Sequence, residues 1–203
     1  KLPRTIPLNC IQDMLTYAYK QHLIAITKCQ KEVALRNIVV LELLFSTGMR
    51  VSEVSNLKTS AINLGDNTVR IFGKGSKERI MCISDDLSKT ISNYLVSRSQ
   101  KSDYLLINRL GNRLSEQSIR YMVNDYANAV GAPLHITPHM FRHTFATELH
   151  NEDVDIRYIQ QFLGHSSIAT TQIYTHISTS KTREILESKH PRNKMNLNFN
   201  KKE

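Results

Sequence analysis

Four short segments of the chain contain the charged and nucleophilic residues that could do chemistry together. They are STGMRVSEV at 46–54, GKGSKER at 73–79, HMFRHTFATEL at 139–149 and LGHSSIATTQIYTH at 163–176. Arginine and lysine bind anionic oxygens, histidine exchanges protons near neutral pH, and a tyrosine hydroxyl can attack as a nucleophile. The four segments are therefore where strong cations, histidines and a hydroxyl nucleophile could converge on one site.

Each segment also has an ordinary structural interpretation when it is taken alone. Arg50 could form a surface ion pair with Glu53, and GKGSK could be a basic hairpin turn. His139 could begin a helix without reacting, and Tyr174, one of eight tyrosines, could pack in the core. The functional interpretation therefore depends on the occurrence of all four segments in one chain.

The composition favours a soluble protein with a polyanionic partner. The formal charge is +9 and the pI is near 9.5, which favours nucleic acid through counterion release, with a basic solvated surface as the alternative. No apolar run approaches the ~18 residues of a membrane span, and the start KLPRTIPLN has neither a signal sequence nor a Met. We expect an intracellular piece of a longer protein. Cysteines 10, 29 and 82 form no ligand cluster, so neither disulfides nor a zinc site is expected.

The hydrophobic spacing predicts one mainly α domain with a small three-stranded antiparallel β-sheet, an α+β fold. Gly48 is a suitable left-handed cap for the second helix. Thr137 and Pro138 suit the cap and first position of the helix that carries His139 and Arg142. The strands are AINL, TVRIF and ERIMCI. The predicted helices are 9–28, 33–47, a short stretch with Arg50 and Glu53, 85–98, 115–130, 139–150, 154–162, 167–176 and 177–186.

Taken together, the four segments resemble the tyrosine recombinase family. The family's pattern is an Arg in G-[LM]-R-x-S-E, a Lys in a β-hairpin, H-x-x-R on a helix, L-G-H and a Tyr shortly after. The residues that match it, in the family's order, are Arg50, Lys74, His139, Arg142, His165 and Tyr174. The similarity extends from Pro3 to Arg192, and FRHTFAT, LGHSSIATTQIYTHIS and the late HPR at 190–192 look like the Xer-type branch.

The resemblance implies a site-specific recombinase that cuts and rejoins duplex DNA through a 3′-phosphotyrosyl intermediate, without metal, ATP or another cofactor. Tyr174 is the implied nucleophile, and His139 is the candidate base. Lys74, on its hairpin, would protonate the departing 5′ oxygen. The residues that would bind the phosphate are Arg50, Arg142 and His165.

Three further residues are expected to support this site. Glu53 would orient Arg50 or the hairpin without reacting itself. Lys77 and Arg79 would contact the DNA backbone, although Lys77 could instead be the acid. The preference for Lys74 as the acid rests on its place in the family's G-K-G sequence.

The resemblance also implies an organisation for the chain. Residues 1–177 would be the catalytic domain, and 178–203 a C-terminal helix, broken near His190, with a basic disordered tail from residue 193. The family's N-terminal core-binding domain is expected to be absent from this chain. The helix would dock on a neighbouring subunit of a DNA-bound tetramer, or alternatively fold back onto its own domain. The expected location is the bacterial cytoplasm, at the nucleoid, with no membrane. Phage integration, mobile-element movement and chromosome-dimer resolution all fit.

Two other functions share part of the pattern. A type IB topoisomerase uses the same nucleophile chemistry, but such enzymes usually place Lys where His139 stands. A non-catalytic DNA-binding regulator could have inherited the fold, but the intact set of six catalytic residues disfavours it. Formation of a covalent protein–DNA adduct distinguishes the enzyme from the regulator.

Overall fold

The structure of the protein, a computed structural model, describes residues 5–73, 78–164 and 179–195. Within these residues the chain forms eight α-helices, two short 3-10 helices and one β-sheet, and none of these helices is long and apolar enough to cross a bilayer. The predicted helix at 167–176 and the residues from 196 onward lie outside the described ranges. The α-helices are α1 (Leu8–Ile24), α2 (Lys28–Thr47), α3 (Val51–Ser55), α4 (Asp85–Ser97), α5 (Glu116–Ala129), α6 (Pro138–Asn151), α7 (Ile156–Leu163) and α8 (Thr179–Lys189).

Three short strands form an antiparallel sheet in the order β1-β2-β3. They are β1 (Ile62–Asn63), β2 (Thr68–Phe72) and β3 (Glu78–Cys82). Val69 lies opposite Ile62 in β1 and opposite Met81 in β3. Val69, Ile71 and Met81 face the core and Ile80 faces solvent, because successive side chains of a strand point to opposite faces. The predicted fold, mainly α with a small three-stranded antiparallel sheet, is confirmed.

The long helix α2 is the central element of the core. It begins with a capping box, in which the side chains of Thr27 and Gln30 each accept a hydrogen bond from the other's backbone. It is closed by Gly48 in the left-handed conformation, with φ of 58°. Every residue from 37 to 49 is buried, and α1, α4 and α6 pack around the helix. The prediction of a core helix closed by Gly48 is confirmed.

Helix α6 begins at Pro138, as expected for a residue with a fixed φ. Thr137 occupies the N-cap position, but its side chain accepts no capping hydrogen bond, so the predicted position is right and the predicted cap interaction is absent. The helix is held by packing instead, because Phe141 and Phe145 are both completely buried.

The described C-terminal residues fold back onto the same domain. Helix α8 is followed by a 3-10 helix, Pro191–Lys194, and Leu186, His190 and Met195 are buried. Because Met195 packs in the core, the prediction of a disordered tail is wrong for residues 193–195. In this single chain α8 and the residues after it pack on the domain that precedes them; docking of the helix on a neighbouring subunit stays a prediction.

Candidate active site

Arg142 is the most deeply buried of the predicted site residues that the structure describes, with 5% exposure. It lies on α6, and its guanidinium donates to the carbonyl oxygens of Gly48 (2.8 Å) and Leu163 (2.7 Å). These carbonyls lie at the C-terminal ends of α2 and α7, where helix carbonyls have no partner within the helix. Arg142 thus joins three helices and satisfies two groups that would be costly to bury unpaired.

Gly48 leaves the space that this arrangement requires. Its φ is +58°, which L side chains rarely adopt. A Cβ at this position would lie 2.7 Å from Cδ1 of Phe145 and 3.1 Å from Cδ2 of Leu163. The first distance is too short for two carbon atoms, so any side chain here would displace the Phe145 ring. The glycine is therefore required both for its conformation and for its lack of a side chain.

Glu53 binds two arginines at once. Its Oε2 accepts a hydrogen bond from the backbone of Arg50 (2.7 Å), and its Oε1 accepts one from Nη1 of Arg50 (3.1 Å). Arg79, on β3, donates to both carboxylate oxygens, from Nη1 at 3.0 Å and from Nη2 at 2.8 Å. The Arg79 side chain is 9% exposed and the Arg50 side chain 44%. Arg79 is therefore directed at Glu53, whereas Arg50 keeps an open face toward solvent.

Gly164 closes α7 beside Arg79. It has a φ of +63°, and a Cβ here would lie 3.2 Å from Nη1 of Arg79, tighter than nine in ten real Cβ contacts. In the L-G-H sequence at 163–165, the leucine thus supplies a carbonyl to Arg142 and the glycine makes room for Arg79. The sequence analysis assigned a role only to the histidine of this motif, but the leucine and the glycine both have structural roles.

The described charges at this site are unbalanced. Burial, followed by the nearby charge of Arg50, lowers the pKa of Arg142 to about 10, so the guanidinium stays charged at neutral pH. Burial acts to raise the pKa of Glu53, but hydrogen bonds and charge from Arg79, and then from Arg50, lower it below its usual value. Three guanidinium groups, those of Arg50, Arg79 and Arg142, thus lie near one carboxylate, that of Glu53. The excess of positive charge favours binding of an anion.

His139 is the second residue of α6 and is exposed. It precedes Arg142 by three positions, a spacing that places two residues on one face of a helix. Among the described residues, no group of His, Cys, Asp or Glu side chains could hold a metal ion. The predicted site residues that lie outside the described ranges are Lys74, Lys77, His165 and Tyr174.

Sequence reasoning overlooked the two carbonyls that hold Arg142, and it gave Glu42 no role. A backbone carbonyl has no sequence signal. Glu42 does have one, because it is a lone charge in the apolar run IVVLELLF at 38–45. A buried charge requires a partner, and here the partner is Arg192 of the late HPR sequence.

Comparisons with known proteins match most of the chain. Residues 9–181 match the model of the phage integrase family. A tyrosine recombinase of Agathobacter rectalis is 51% identical over 195 residues, which are 94% of this chain and 64% of that protein. The tyrosine recombinase XerC of Staphylococcus aureus (strain bovine RF122) is 39% identical over 185 residues, 88% of this chain and 62% of XerC. The chain thus spans a little under two thirds of the length of these curated relatives.

Solved structures have the same fold. The crystal structure of XerA recombinase matches with a TM-score of 0.70 and 31% identity, covering 92% of this chain and 65% of XerA. The XerH site-specific recombinase, bound to palindromic difH substrate in a post-cleavage complex, matches with a TM-score of 0.71 and 29% identity. That match covers 91% of this chain and 52% of XerH. Both similarities support the arrangement of helices and sheet described above.

Proposed function

This chain belongs to the phage integrase family, and on that basis we propose that it cuts and rejoins duplex DNA as the catalytic part of a site-specific tyrosine recombinase. The Tyr174 hydroxyl attacks a phosphodiester, forms a 3′-phosphotyrosyl bond and releases a 5′-hydroxyl. A 5′-hydroxyl then attacks the phosphotyrosine and releases the tyrosine. Because the ester energy is retained in the intermediate, rejoining needs no ATP.

The observation that carries this proposal is the excess of positive charge around Arg142. Two of its five N–H groups bind the carbonyls of Gly48 and Leu163, which fixes the orientation of the planar guanidinium. Arg50, held by Glu53, adds a second cation with an open face. Two guanidinium groups fixed before the substrate arrives are suited to the nonbridging oxygens of a phosphodiester, on which charge grows during attack.

The other proposed roles concern protons and the DNA backbone. His139 receives the tyrosine proton, and His165 adds a hydrogen bond to the phosphate. Lys74 protonates the departing 5′ oxygen, and Lys77 contacts the DNA backbone. For Arg79 the bidentate contact with Glu53 supports a positioning task beside the predicted backbone contact. The cations supply the stabilisation that Mg²⁺ gives in other phosphoryl-transfer sites, so cleavage is expected to survive EDTA.

The nucleophile is tested with a nicked duplex that traps the covalent adduct. Tyr174→Phe is expected to bind DNA with the parent affinity and to form no adduct, because only the attacking hydroxyl is lost. Tyr126→Phe is the matched control, since it also removes one hydroxyl, which here bonds Asn37 in the core. Adduct from Tyr174→Phe at the parent level would move the nucleophile to another tyrosine.

The acid is tested with DNA in which sulfur replaces the bridging 5′ oxygen. Lys74→Ala is expected to slow cleavage of ordinary DNA roughly 10²–10⁴-fold, the usual size of a general-acid contribution. A thiolate leaves without a proton, so the sulfur-substituted DNA is expected to restore the rate. Arg50→Ala and Arg142→Ala are not restored, because they leave the nonbridging charge uncompensated. Rescue of Lys77→Ala alone would make Lys77 the acid.

The partner in this proposal is duplex DNA in the bacterial cytoplasm, at the nucleoid, bound by a tetramer of the whole protein. The net charge of +9 supports a backbone-dominated interface. Log affinity is then expected to fall by ~0.9 per neutralised phosphate contact for each log unit of salt. Affinity that does not change between low and moderate salt would contradict this interface, and sedimentation of the DNA complex tests the tetramer.

A further inference from the structure

Residues 190–195 contact the C-terminal halves of α2 and α6, and we refer to them as the C-terminal strap. Arg192 in the strap forms a bidentate ion pair with Glu42 in α2, with Nη2 3.0 Å from Oε1 and Nε 3.1 Å from Oε2. The side chain of Glu42 is 2% exposed and that of Arg192 is 14% exposed. Such a pair is held in one geometry, because separating it leaves a buried charge without a partner.

His190 ties the strap to the same end of α2. Its Nε2 lies 2.8 Å from the carbonyl oxygen of Ser46, and its Nδ1 accepts a hydrogen bond from the backbone of Arg192 at 2.9 Å. An imidazole that accepts at Nδ1 carries its proton on Nε2, so the ring donates to Ser46. The Ser46 carbonyl is one of the last in the helix and has no partner within it. The strap therefore completes the C-terminal end of α2.

One aromatic ring connects the strap to Arg142. The centroids of the His190 and Phe145 rings are 5.6 Å apart. The same Phe145 fills the space beside Gly48 in which a Cβ would not fit. The carbonyl of Gly48 accepts the hydrogen bond from Arg142. A continuous series of contacts thus leads from the strap to the buried guanidinium.

We propose that Glu42 and Arg192 are positioning residues for DNA cleavage, because their ion pair holds the strap, whose contacts lead through His190 and Phe145 to Arg142. This inference rests on the proposed function. Both side chains are buried or nearly so, and the pair acts on the rate of cleavage and not on DNA affinity. A displacement of about 1 Å in a reacting group can slow a reaction roughly 10²-fold, so a small relaxation of the strap is measurable.

The test measures single-turnover cleavage of saturating nicked DNA and DNA affinity separately, in the whole protein. Glu42→Gln removes the charge with almost no change in shape. It is expected to slow adduct formation roughly 10- to 100-fold and to leave DNA affinity unchanged. Arg192→Lys keeps the charge but loses the two-pronged contact, so an intermediate loss is expected.

Tyr94→Phe is the matched control for stability. It removes a buried hydroxyl that accepts a hydrogen bond from the Ile107 backbone at 3.2 Å, and none of the strap contacts described above involves it. It is expected to melt at a lower temperature and to cleave at the parent rate. Melting curves define a temperature at which every compared variant is folded. If Glu42→Gln does not fold, the same cleavage and affinity measurements are made on Arg192→Lys alone.

The outcomes separate positioning from simple stabilisation. Parent cleavage rates in the folded Glu42→Gln and Arg192→Lys variants would overturn the inference. The double variant Glu42→Gln, Arg142→Lys is expected to lose less cleavage rate than the product of the two single fold-losses, because both changes act on one guanidinium. A fold-loss equal to that product would overturn the link between the strap and Arg142. Absence of adduct from the parent protein overturns the proposed function together with this inference. Adduct from the parent with unaffected strap variants overturns the inference alone.

Discussion

The two ends of α2 differ in how their unpaired backbone groups obtain hydrogen-bond partners. At the exposed N-terminal end, Thr27 and Gln30 cap the helix locally, from positions three apart in the sequence. At the buried C-terminal end, the carbonyls of Ser46 and Gly48 are bound by His190 and Arg142, 144 and 94 positions away. Each helix end leaves polar backbone groups that need partners, and only the second end obtains them from distant parts of the fold.

This difference indicates that the C-terminal end of α2, and not its N-terminal end, belongs to the candidate site. A local cap ends a helix and requires nothing else of the fold. A cap made by distant side chains fixes several elements relative to one another, which is what a preorganised binding site requires. We therefore expect changes at the C-terminal end of α2 to alter both cleavage and stability, and changes at its N-terminal end to alter stability alone.

The largest expected effect is that of Arg142→Lys. A lysine cannot bind the Gly48 and Leu163 carbonyls and also present a planar fork to a phosphate. We expect single-turnover cleavage to fall roughly 10³-fold, at the upper end of the cost of losing one donor to a developing anion. Adduct formation on nicked DNA at saturating protein measures the rate.

Arg50→Lys is the comparison for that change. Arg50 is 44% exposed and is held by Glu53 alone among the described side chains, so its replacement disturbs less of the framework. We expect a loss about tenfold smaller than that of Arg142→Lys, because one phosphate contact is weakened without the loss of a helix cap. Equal losses at the two arginines would remove the distinction between the buried and the exposed cation.

Gly48→Ala is expected to give the next largest effect. The new Cβ would lie 2.7 Å from Phe145 Cδ1, and the left-handed backbone disfavours any L side chain. Overpacking and backbone strain together are expected to lower the free energy of unfolding by about 3 kcal/mol. Urea unfolding measures it.

Gly131→Ala is the matched control, because Gly131 has a similar φ of +66° but no atom within 4 Å of the added Cβ. Only the backbone strain applies there, so we expect a cost of about 1 kcal/mol and an unchanged cleavage rate. If the two alanine variants lost the same stability, the contact between Gly48 and Phe145 would have no energetic importance.

The elements of this fold could be predicted from sequence because their signals are local. Gly48 ends an apolar run, and the alternating pattern of TVRIF and ERIMCI predicts two strands. Both features depend on neighbouring residues, and the structure has them where they were expected. The missing side-chain cap at Thr137 shows the limit of such reasoning, since packing of α6 against the core decided its start.

The framework of the site could not be predicted in the same way. The partners of Arg142 are backbone carbonyls, which any residue would supply, and they converge only when three helices have packed. The pair of Glu42 and Arg192 joins positions 150 apart. The position of Glu42 in an apolar run indicates that it needs a positively charged partner, but the sequence does not show which Arg or Lys is that partner. The contact between Arg79 and Glu53 likewise depends on how the sheet meets α3.

The dependence of stability on pH tests the contribution of His190 at the buried C-terminal end of α2. Burial, followed by the charge of Arg192, lowers the pKa of His190 to about 4, although its bond to Ser46 acts in the opposite direction. The folded protein holds this ring neutral, so the unfolded chain binds the proton more readily. The His190 contribution is present in full above about pH 6.5 and is lost as the pH falls toward 4, by up to about 3 kcal/mol.

Urea unfolding of the parent and of His190→Gln between pH 7 and 4.5 measures this contribution. The glutamine can keep a donor for the Ser46 carbonyl but does not titrate, so we expect the parent to lose stability more steeply than the variant as the pH falls. His135→Gln, which replaces an exposed histidine, is expected to keep the parent slope. Identical slopes for the parent and His190→Gln would mean that folding does not lower the pKa of His190.

The smallest expected effect is that of Thr27→Ala at the other end of α2. The Thr27 hydroxyl accepts a hydrogen bond from the Gln30 backbone at 3.2 Å, and its loss leaves that N–H to solvent. We expect the free energy of unfolding to fall by about 1 kcal/mol, the usual cost of removing an N-cap side chain. Cleavage and DNA affinity should keep their parent values, because this cap binds no element of the site. A cleavage rate more than about threefold below the parent, with the variant folded, would show that α2 transmits a local change along its length and that its two ends are not independent.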